Sequence, residues 1–503
     1  MIDFPALYSA FAILATAESA WWFLIPGLII GLVFGAIPGI SITMAMALFL
    51  PLTLYMDFLT AIIFLTAIYT GAGFGGSVPA ILINIPGTPS AVATTFDGYP
   101  MSRQGRHNEA LGNALGASAT GTMLAYIMLF LLIAPIAHVV LMMGPLEMLM
   151  IALWGMLLLG SLAGTYIARG LLAGTFGVLL GTVGMNTAGY VRGTMDIPWL
   201  LDGLPVIPAM MGLLAASQMF NLVNTNFLIP SAEHRKMNAG KILRGVGNSW
   251  KSPLTILRGS AIGAMIGAIP GVGASISNLL SYSEAKRNDP DPDSFGKGNP
   301  RGVVAAESAN SSSEGGAMAT MLALGIPGGG ATAILLAAFA MHNIVGGPQF
   351  IAENKDIVYA IIFMNFAQAA LLLVFGLAFV FVASSIVRVP MRFLIPTVLV
   401  VASFGSFAVS GSMSGPITLF VFALVGWALA RYEYPVAAVV VGLLLGRLVE
   451  TQMLRSYQVI GGDLSNVLER PGALAIFFLI VLSIVLTVLA KRRRRRRADA
   501  AAV

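Results

Sequence analysis

Apolar residues come in runs near 20 long from one end of the chain to the other, separated by short polar or basic stretches. A run of that length crosses a hydrocarbon core about 30 Å thick as an α-helix. The pattern predicts ordinary spans near 110–137, 145–168, 170–190 and 205–228, then near 357–386, 393–411, 414–430, 434–449 and 472–490. The span at 434–449 is short, with Arg447 near its outer end. The longest polar stretches, 231–258 and 284–301, read as loops.

Four regions depart from this pattern, and they do so in pairs. Gly31-Leu-Val-Phe-Gly-Ala-Ile-Pro-Gly-Ile-Ser41 is echoed by Gly263-Ala-Met-Ile-Gly-Ala-Ile-Pro-Gly-Val-Gly273. Each is followed by a glycine run (Gly75-Gly-Ser77, then Gly315-Gly-Ala317) and by an Ile-Pro-Gly (Ile85-Pro86-Gly87, then Ile326-Pro327-Gly328). Region 22–55 would span about 50 Å as one straight helix, too long for the core. A re-entrant hairpin broken at Pro38-Gly39 fits better, and 259–283 is its counterpart. The segments 58–100 and 302–341 then read as discontinuous helices. Helix breakers at matching places in two halves of an apolar chain point to a transporter's binding site.

Charge orients the elements. Lys and Arg mark the cytoplasmic side. Segment 231–258 holds Arg235, Lys236, Lys241, Arg244, Lys251 and Arg258 against Glu233 alone. Arg103, Arg106, Arg169, Arg388, Arg392 and Arg431 are smaller marks of the same side, and the loops near 139–144, 191–204, 342–356 and 450–470 face the periplasm. On this threading the first hairpin opens to the periplasm and the second to the cytoplasm. The expected architecture is an all-α polytopic membrane protein of two inverted-topology repeats, each with a re-entrant hairpin and a discontinuous helix. The repeats occupy 1–230 and 259–490, with a cytoplasmic linker at 231–258 and a basic cytoplasmic tail at 491–503.

Composition supports the class and removes others. Only 10% of the residues are charged, against about 25% in soluble domains. The net charge is +6, of which Lys491 to Arg497 supply +7, so the remainder sums to −1. That run follows an apolar segment directly, which assigns it to anionic lipid rather than nucleic acid. With no cysteine, disulfides, thiolate metal sites and thiol nucleophiles are excluded. The start, Met1-Ile-Asp-Phe-Pro, has no basic region of a signal peptide.

Broken helices expose backbone groups that hydrocarbon cannot satisfy, so they belong around a cavity. Here the breaks carry hydroxyls and amides: Ser41, Thr43, Asn84, Thr88 and Ser90, then Ser275, Ser277, Asn278, Asn310, Ser311, Ser312 and Ser313. Half-helix N-termini attract anions, and hard oxygen groups suit Na⁺. The expected substrate site comprises Pro38, Gly39, Ser41, Asn84, Pro86, Gly87, Thr88, Ser90, Gly271, Gly273, Ser275, Pro327 and Gly328. The expected cation ligands are Ser277, Asn310, Ser311, Ser312 and Glu314, with Na⁺ at a site formed by Asn84 and Asn310. Small and hydroxyl residues also mark tight helix packing, which is the competing account of each. Among intramembrane carboxylates, Glu307 and Glu314 are seven apart and share a helix face, while Asp97 either caps a turn or acts directly. His107, His138, His234 and His342 are scattered, and the glycine runs lack the Lys-Ser/Thr ending of a P-loop. No catalytic residue, cofactor or ATPase is expected. An integral-membrane enzyme using Glu307 and Glu314 on a lipid-linked substrate is the alternative.

Tyr69-Thr-Gly-Ala-Gly-Phe-Gly-Gly-Ser-Val-Pro-Ala-Ile-Leu-Ile-Asn-Ile-Pro-Gly-Thr-Pro89 and Asp97-Gly-Tyr-Pro-Met101 resemble the large membrane subunit of the tripartite tricarboxylate transporters, the TctA family. So do Pro270-Gly-Val-Gly-Ala-Ser275, Phe295-Gly-Lys-Gly298, Glu307-Ser-Ala-Asn310 and Leu324-Gly-Ile-Pro-Gly328. The resemblance implies a bacterial inner-membrane secondary transporter that imports a tri- or dicarboxylate by Na⁺ symport, moving its substrate as an elevator. It implies a small four-helix membrane subunit and a periplasmic solute-binding protein as partners. Two departures are visible: Asn310-Ser311 stands where the family has Asn-Asn, and Gly328-Gly-Gly330 is more flexible than the usual loop.

Overall fold

The computed structural model describes residues 3–37, 40–159, 167–186, 189–222, 237–270, 273–386, 391–461, 470–478 and 480–482. The chain opens with α1 (Phe4–Thr16) and α2 (Glu18–Gly35), then turns back through α3 (Ile42–Phe49) and a 3-10 stretch, Leu50–Tyr55. Next come α4 (Phe58–Gly75), α5 (Ser77–Ile83), α6 (Val92–Arg103) and the 35-residue α7 (His107–Leu141). α8 (Pro145–Leu159) and α9 (Ile167–Gly181) lead to a two-stranded ribbon of β1 (Gly184–Met185) and β2 (Val191–Arg192). α10 (Val206–Met211), a π-turn and α11 (Ser217–Leu222) close this half.

The second half runs through α12 (Ala239–Ser249), α13 (Pro253–Gly267), α14 (Gly273–Arg287), α15 (Pro300–Leu324) and α16 (Gly330–Met341). Then follow α17 (Pro348–Glu353), α18 (Lys355–Ile386), α19 (Met391–Ser410), α20 (Ser414–Arg431) and α21 (Val436–Val459). Five described helices are long and apolar enough to cross a membrane: Glu18–Gly35, Phe58–Ile83, His107–Ile136, Lys355–Ala383 and Ser414–Arg431. A sixth is added if Val436–Gly446 and Leu448–Val459, bent by 42°, count as one.

Contacts fix the relative directions of the central helices. Ser19 at the start of α2 hydrogen-bonds Asp57 (3.1 Å) and Thr60 (2.8 Å) at the start of α4. At their far ends Gly35 packs on the backbone of Ala72. The two helices are therefore parallel, and the chain between them goes in and returns to the same end. α13 and α15 repeat the arrangement, with Gly259 on Ser308 and Gly267 on Ser313. α14 returns alongside, Ser277 donating to Ala309 O (3.3 Å) and Ser281 to Ala305 O (2.7 Å). α4 and α15 are antiparallel, because Thr70 meets Glu314 (2.8 Å) while Gly73 O meets Asn310 (3.2 Å). The first hairpin consequently opens at one end of the bundle and the second at the other.

Glycine makes these seams possible. Gly27, Gly31 and Gly35 on α2, and Gly259, Gly263 and Gly267 on α13, recur every four residues on one helix face. Each lets the partner helix approach to backbone distance, which is how helices gain van der Waals contact where lipid removes the hydrophobic drive. α4 is buried almost all round, as expected of a helix apolar on every face. α15 is equally buried but carries Ala, Ser, Gly and Asn in its place.

Several sequence expectations need correction. The polar stretch 231–258 is not a loop throughout: from 239 it forms α12 and the start of α13, because Ile242, Gly245, Val246 and Ser249 make one buried stripe against α7. Likewise 284–287 completes α14. The predicted span 170–190 ends at Gly181, where the ribbon begins. The short span at 434–449 is the first part of the longer bent α21, so the polar residues 450–459, read as loop, are helical. The tail 491–503 lies outside the described residues.

Candidate functional site

Asn84 and Gly325 end α5 and α15 in the left-handed conformation, with φ, ψ of 60°, 24° and 69°, 18°. Such a residue terminates a helix by turning the chain out of it. In both halves the next three residues are Ile-Pro-Gly. Gly87 donates its N–H to Gly76 O (2.9 Å) and lies against Gly35 O. Gly328 lies against Ala317 and Gly267 O in the corresponding way. Each break is thus seated on the inner end of its own half's hairpin.

The halves also exchange contacts. From α14, Asn278 donates its amide to Ser90 O just past the first break. From α3, Thr43 packs on Gly330 just past the second. The four interruptions therefore touch in a closed cycle: first hairpin, first Ile-Pro-Gly, second hairpin, second Ile-Pro-Gly. Thr88 and Ser90 share a hydrogen bond there (3.0 Å), and the side-chain oxygen Oδ1 of Asn278 is buried with no hydrogen-bond partner among the described residues.

The expected site residues divide into groups. Gly87, Thr88, Ser90, Pro327 and Gly328 belong to the cycle and are buried. Asn84 and Pro86 lie on its open side, with Asn84 exposed. Ser41 caps α3 by accepting from Met44 N–H (3.1 Å) and also accepts from Gln218 (3.2 Å). Gly273 starts α14. Pro38, Gly39, Gly271 and the side chain of Ser275 lie outside the described residues. Among the cation candidates, Ser312 bonds its own helix at Ala309 O (3.3 Å), the carbonyl that Ser277 also reaches, and Ser311 is buried. Asn310 is buried and holds Gly73 O of α4. No hydrogen bond joins Asn84 to Asn310 among the described residues.

Two carboxylates are buried beside the cycle. Glu314 accepts from Thr70 of α4 (2.8 Å) and Tyr126 of α7 (3.0 Å), and Thr70 also contacts Gln368 of α18 (3.2 Å). Glu307 accepts from Thr94 of α6 and from Ser118 of α7 (3.0 Å). Both face α7, as their spacing predicts. Among the described residues neither forms an ion pair, so hydroxyls, joined at Glu307 by the Asn310 amide, offset the loss of water. Sequence reading missed Thr70, Thr94, Ser118, Tyr126 and Gln368. For Thr70, Ser118, Tyr126 and Gln368 the signal was a polar group within an apolar or small-residue helix, whereas Thr94, next to Thr95 in the polar α6, gave none. Asp97 has the capping role. It accepts N–H groups of Gly296 (2.9 Å), Gly298 and Asn299 (both 2.8 Å) and the Tyr282 hydroxyl (2.9 Å), folding the turn that starts α15.

Residues 22–441, which include the whole cycle and both carboxylates, match the tripartite tricarboxylate transporter TctA family. The chain belongs to the TctA family. An uncharacterized 52.8 kDa protein in the TAR-I ttuC' 3' region of Agrobacterium vitis is 30% identical over 458 residues, covering 90% of this chain and 89% of its own. An uncharacterized protein in the TAR-II ttuC' 3' region of the same organism is 27% identical over 217 residues, 43% of this chain and 90% of its own. No solved structure matches. Membership makes the chain a multi-pass membrane subunit of a tripartite tricarboxylate transporter, a system with further subunits such as a binding protein and a small membrane subunit.

Proposed function

We propose that this subunit is the permease of a binding-protein-dependent secondary transporter that imports a tri- or dicarboxylate across the bacterial inner membrane, with Na⁺ as the coupling ion. The observation that carries this reading is the closed cycle of two hairpin ends and two Ile-Pro-Gly breaks, with hairpins that open at opposite ends. The start of α16 at the second break presents backbone N–H groups suited to a carboxylate. Asn310, Ser311 and the carbonyls freed at the breaks are hard ligands suited to Na⁺. We read the halves as inverted-topology repeats, each supplying one gate, with the substrate carried by an elevator movement. The basic run Lys491 to Arg497 supports reading the C-terminus as cytoplasmic, in contact with anionic lipids.

Reconstitution tests this. Proteoliposomes holding this subunit, the small four-helix subunit and the binding protein should take up radiolabelled Na⁺ only when a carboxylate is present. Asn310→Ala should lower apparent affinity for Na⁺ or substrate roughly 5- to 150-fold, the consequence of losing one hydrogen-bonding group in a desolvated site. Carboxylate uptake indifferent to the Na⁺ gradient would remove the coupling ion and leave the carboxylate reading intact. Rapid high-affinity uptake by this chain alone would remove the dependence on partners.

A further inference from the structure

α12 is strongly amphipathic. Its inner stripe packs on α7 so closely that Gly112 meets the backbone of Ile242 and Gly245, and Gly116 meets Val246 and Ser249. The two helices run parallel, from Asn238 N–H on Asn108 Oδ1 (2.9 Å) to the Trp250 indole on Thr120 (2.9 Å). Among the described residues nothing covers the outer face. Lys241, Arg244 and Lys251 are exposed on it, and no ion pair reaches them among the described residues. Trp250 (51%), at the turn that joins α12 to α13, and Leu254 (63%) and Leu257 (51%), in the first turns of α13, are exposed. Arg258 follows, paired with Glu284 at 3.5 Å.

We infer that this face is a binding site for an anionic phospholipid of the surrounding bilayer. Three cations with no counter-ion among the described residues ask for phosphate. Exposed Leu and Trp within a few residues of them ask for acyl chain and glycerol backbone, and a hydrophobic patch of this kind is a contact surface. An indole anchored at its N–H and exposed along its ring suits the membrane–water boundary. The location agrees, because the candidate span of α7, His107–Ile136, runs alongside α12 and continues beyond Thr120, the partner of Trp250. By the distribution of Lys and Arg this end of the bundle is cytoplasmic, the side where a basic surface attracts anionic headgroups. A lipid here ties α12 to the foot of α13 and so holds the base of the second hairpin. The inference rests on the membrane placement of the chain and not on its substrate or coupling ion.

Fluorescence quenching reads the contact directly. The full-length protein is placed in nanodiscs of phosphatidylcholine containing either brominated phosphatidylglycerol or brominated phosphatidylcholine, and the Trp250 contribution is taken as the difference from Trp250→Phe. Trp250 should be quenched by both lipids, with an apparent preference for phosphatidylglycerol of at least about fivefold, roughly the effect of one Lys or Arg near a charged surface. The preference should fall at high salt, a measurement that needs no further variant. It should disappear in the combined Lys241→Gln, Arg244→Gln, Lys251→Gln protein and persist when residues 491–497 are replaced by Gln. Equal quenching by the two lipids, or a preference lost only with the tail, would overturn the proposal. A Trp250 shielded from both lipids would overturn it too, and would mark the face as covered by protein. Because transport is not measured, failure here leaves the permease reading standing, and the converse holds.

Discussion

The two Ile-Pro-Gly breaks share a backbone and differ in their surroundings. Asn84 and Gly325 turn the chain through nearly the same dihedral angles, and Gly87 and Gly328 rest on equivalent hairpin glycines. Yet Ile85 is 39% exposed and Ile326 is wholly buried. One break is open at the molecular surface while its twin is closed. Architecture is therefore set by glycine and by left-handed caps, which both halves possess, whereas accessibility depends on how the halves are packed. A carrier with two equivalent gates requires this separation, since each gate must be able to exist in both environments.

The strongest way to break the comparison is to exchange reagent access. The chain contains no cysteine, so single cysteines can be introduced without background. Ile85→Cys should react with a polar maleimide on the order of 100-fold faster than Ile326→Cys, because a fully buried thiol reacts only through local opening. Maleimides react with thiolate in water, so a slow Ile85→Cys would mean that this break faces lipid instead of a water path. If added substrate slows the first site and speeds the second, the two breaks exchange environments as the proposed alternating gates require.

A second contrast lies in the seams. A Cβ at Gly31 would strike the carbonyl oxygen of Ile68 and stand 2.8 Å from the N of Ala72, both main-chain atoms. At Gly259 the first obstacle is the Ser308 hydroxyl, which can rotate, and the nearest main-chain atom, Ala305 O, is 3.2 Å away. Gly31→Ala should therefore cost about 2–3 kcal/mol, within the usual range for overpacking, and Gly259→Ala less than about 1 kcal/mol. Thermal unfolding of the purified proteins in detergent compares them. Equal losses would mean that α13 and α15 are as rigidly apposed as α2 and α4.

The same glycines explain why so much was legible beforehand. A helix breaker leaves an unambiguous mark in an apolar run, so the ends of α5 and α15 and the return of α14 along α13 could be read from Gly87, Gly328 and Pro270. The hydroxyls were harder. Ser277 and Ser312 are drawn from the same residue types as Thr88 and Ser90, but the first two contact the Ala309 carbonyl and the others face the cycle. Composition cannot separate these roles, because only tertiary contact decides where a rotatable hydroxyl points. Asp97 was ambiguous for the same reason, until three N–H groups from a turn 200 residues later converged on it. α12 escaped notice because its glycines and basic residues lower its mean hydropathy, although its stripe at 242, 245, 246 and 249 has helical spacing.

The carboxylate seam provides a third contrast. Counting from the two Ile-Pro-Gly motifs, Glu314 on α15 corresponds to Gly73 on α4. Glu314→Ala would leave the buried Tyr126 hydroxyl without its acceptor and Thr70 with Gln368 alone, a loss of about 1–3 kcal/mol. Gly73 has open space where a Cβ would go, so Gly73→Ala should be neutral or stabilise the helix by up to about 1 kcal/mol. Denaturation midpoints measured side by side in detergent read the difference. Equal tolerance at both positions would show that Glu314 contributes nothing to holding α4, α7 and α15 together, leaving ion or substrate handling as the reason for its presence.

The smallest effect concerns Asn84 and Gly325, where the halves use different residues for one geometry. Gly325 takes the left-handed turn without a Cβ penalty, while Asn84 takes it with one. Asn84→Gly should therefore change stability by no more than about 1 kcal/mol, the lost strain being offset by the greater freedom of glycine in the unfolded chain. Gly325→Asn should cost more, because a Cβ there would lie 2.7 Å from Gly346 O in addition to the strain. If stability were the only reason for Asn84, Asn84→Gly would transport like the wild type. Our reading places the exposed Asn84 amide at the open break, beside the substrate. Asn84→Gly should then fold normally and raise the substrate concentration for half-maximal uptake in the reconstituted three-subunit system. An unchanged value would reduce Asn84 to a helix terminator and make the two breaks alike in every respect but their exposure.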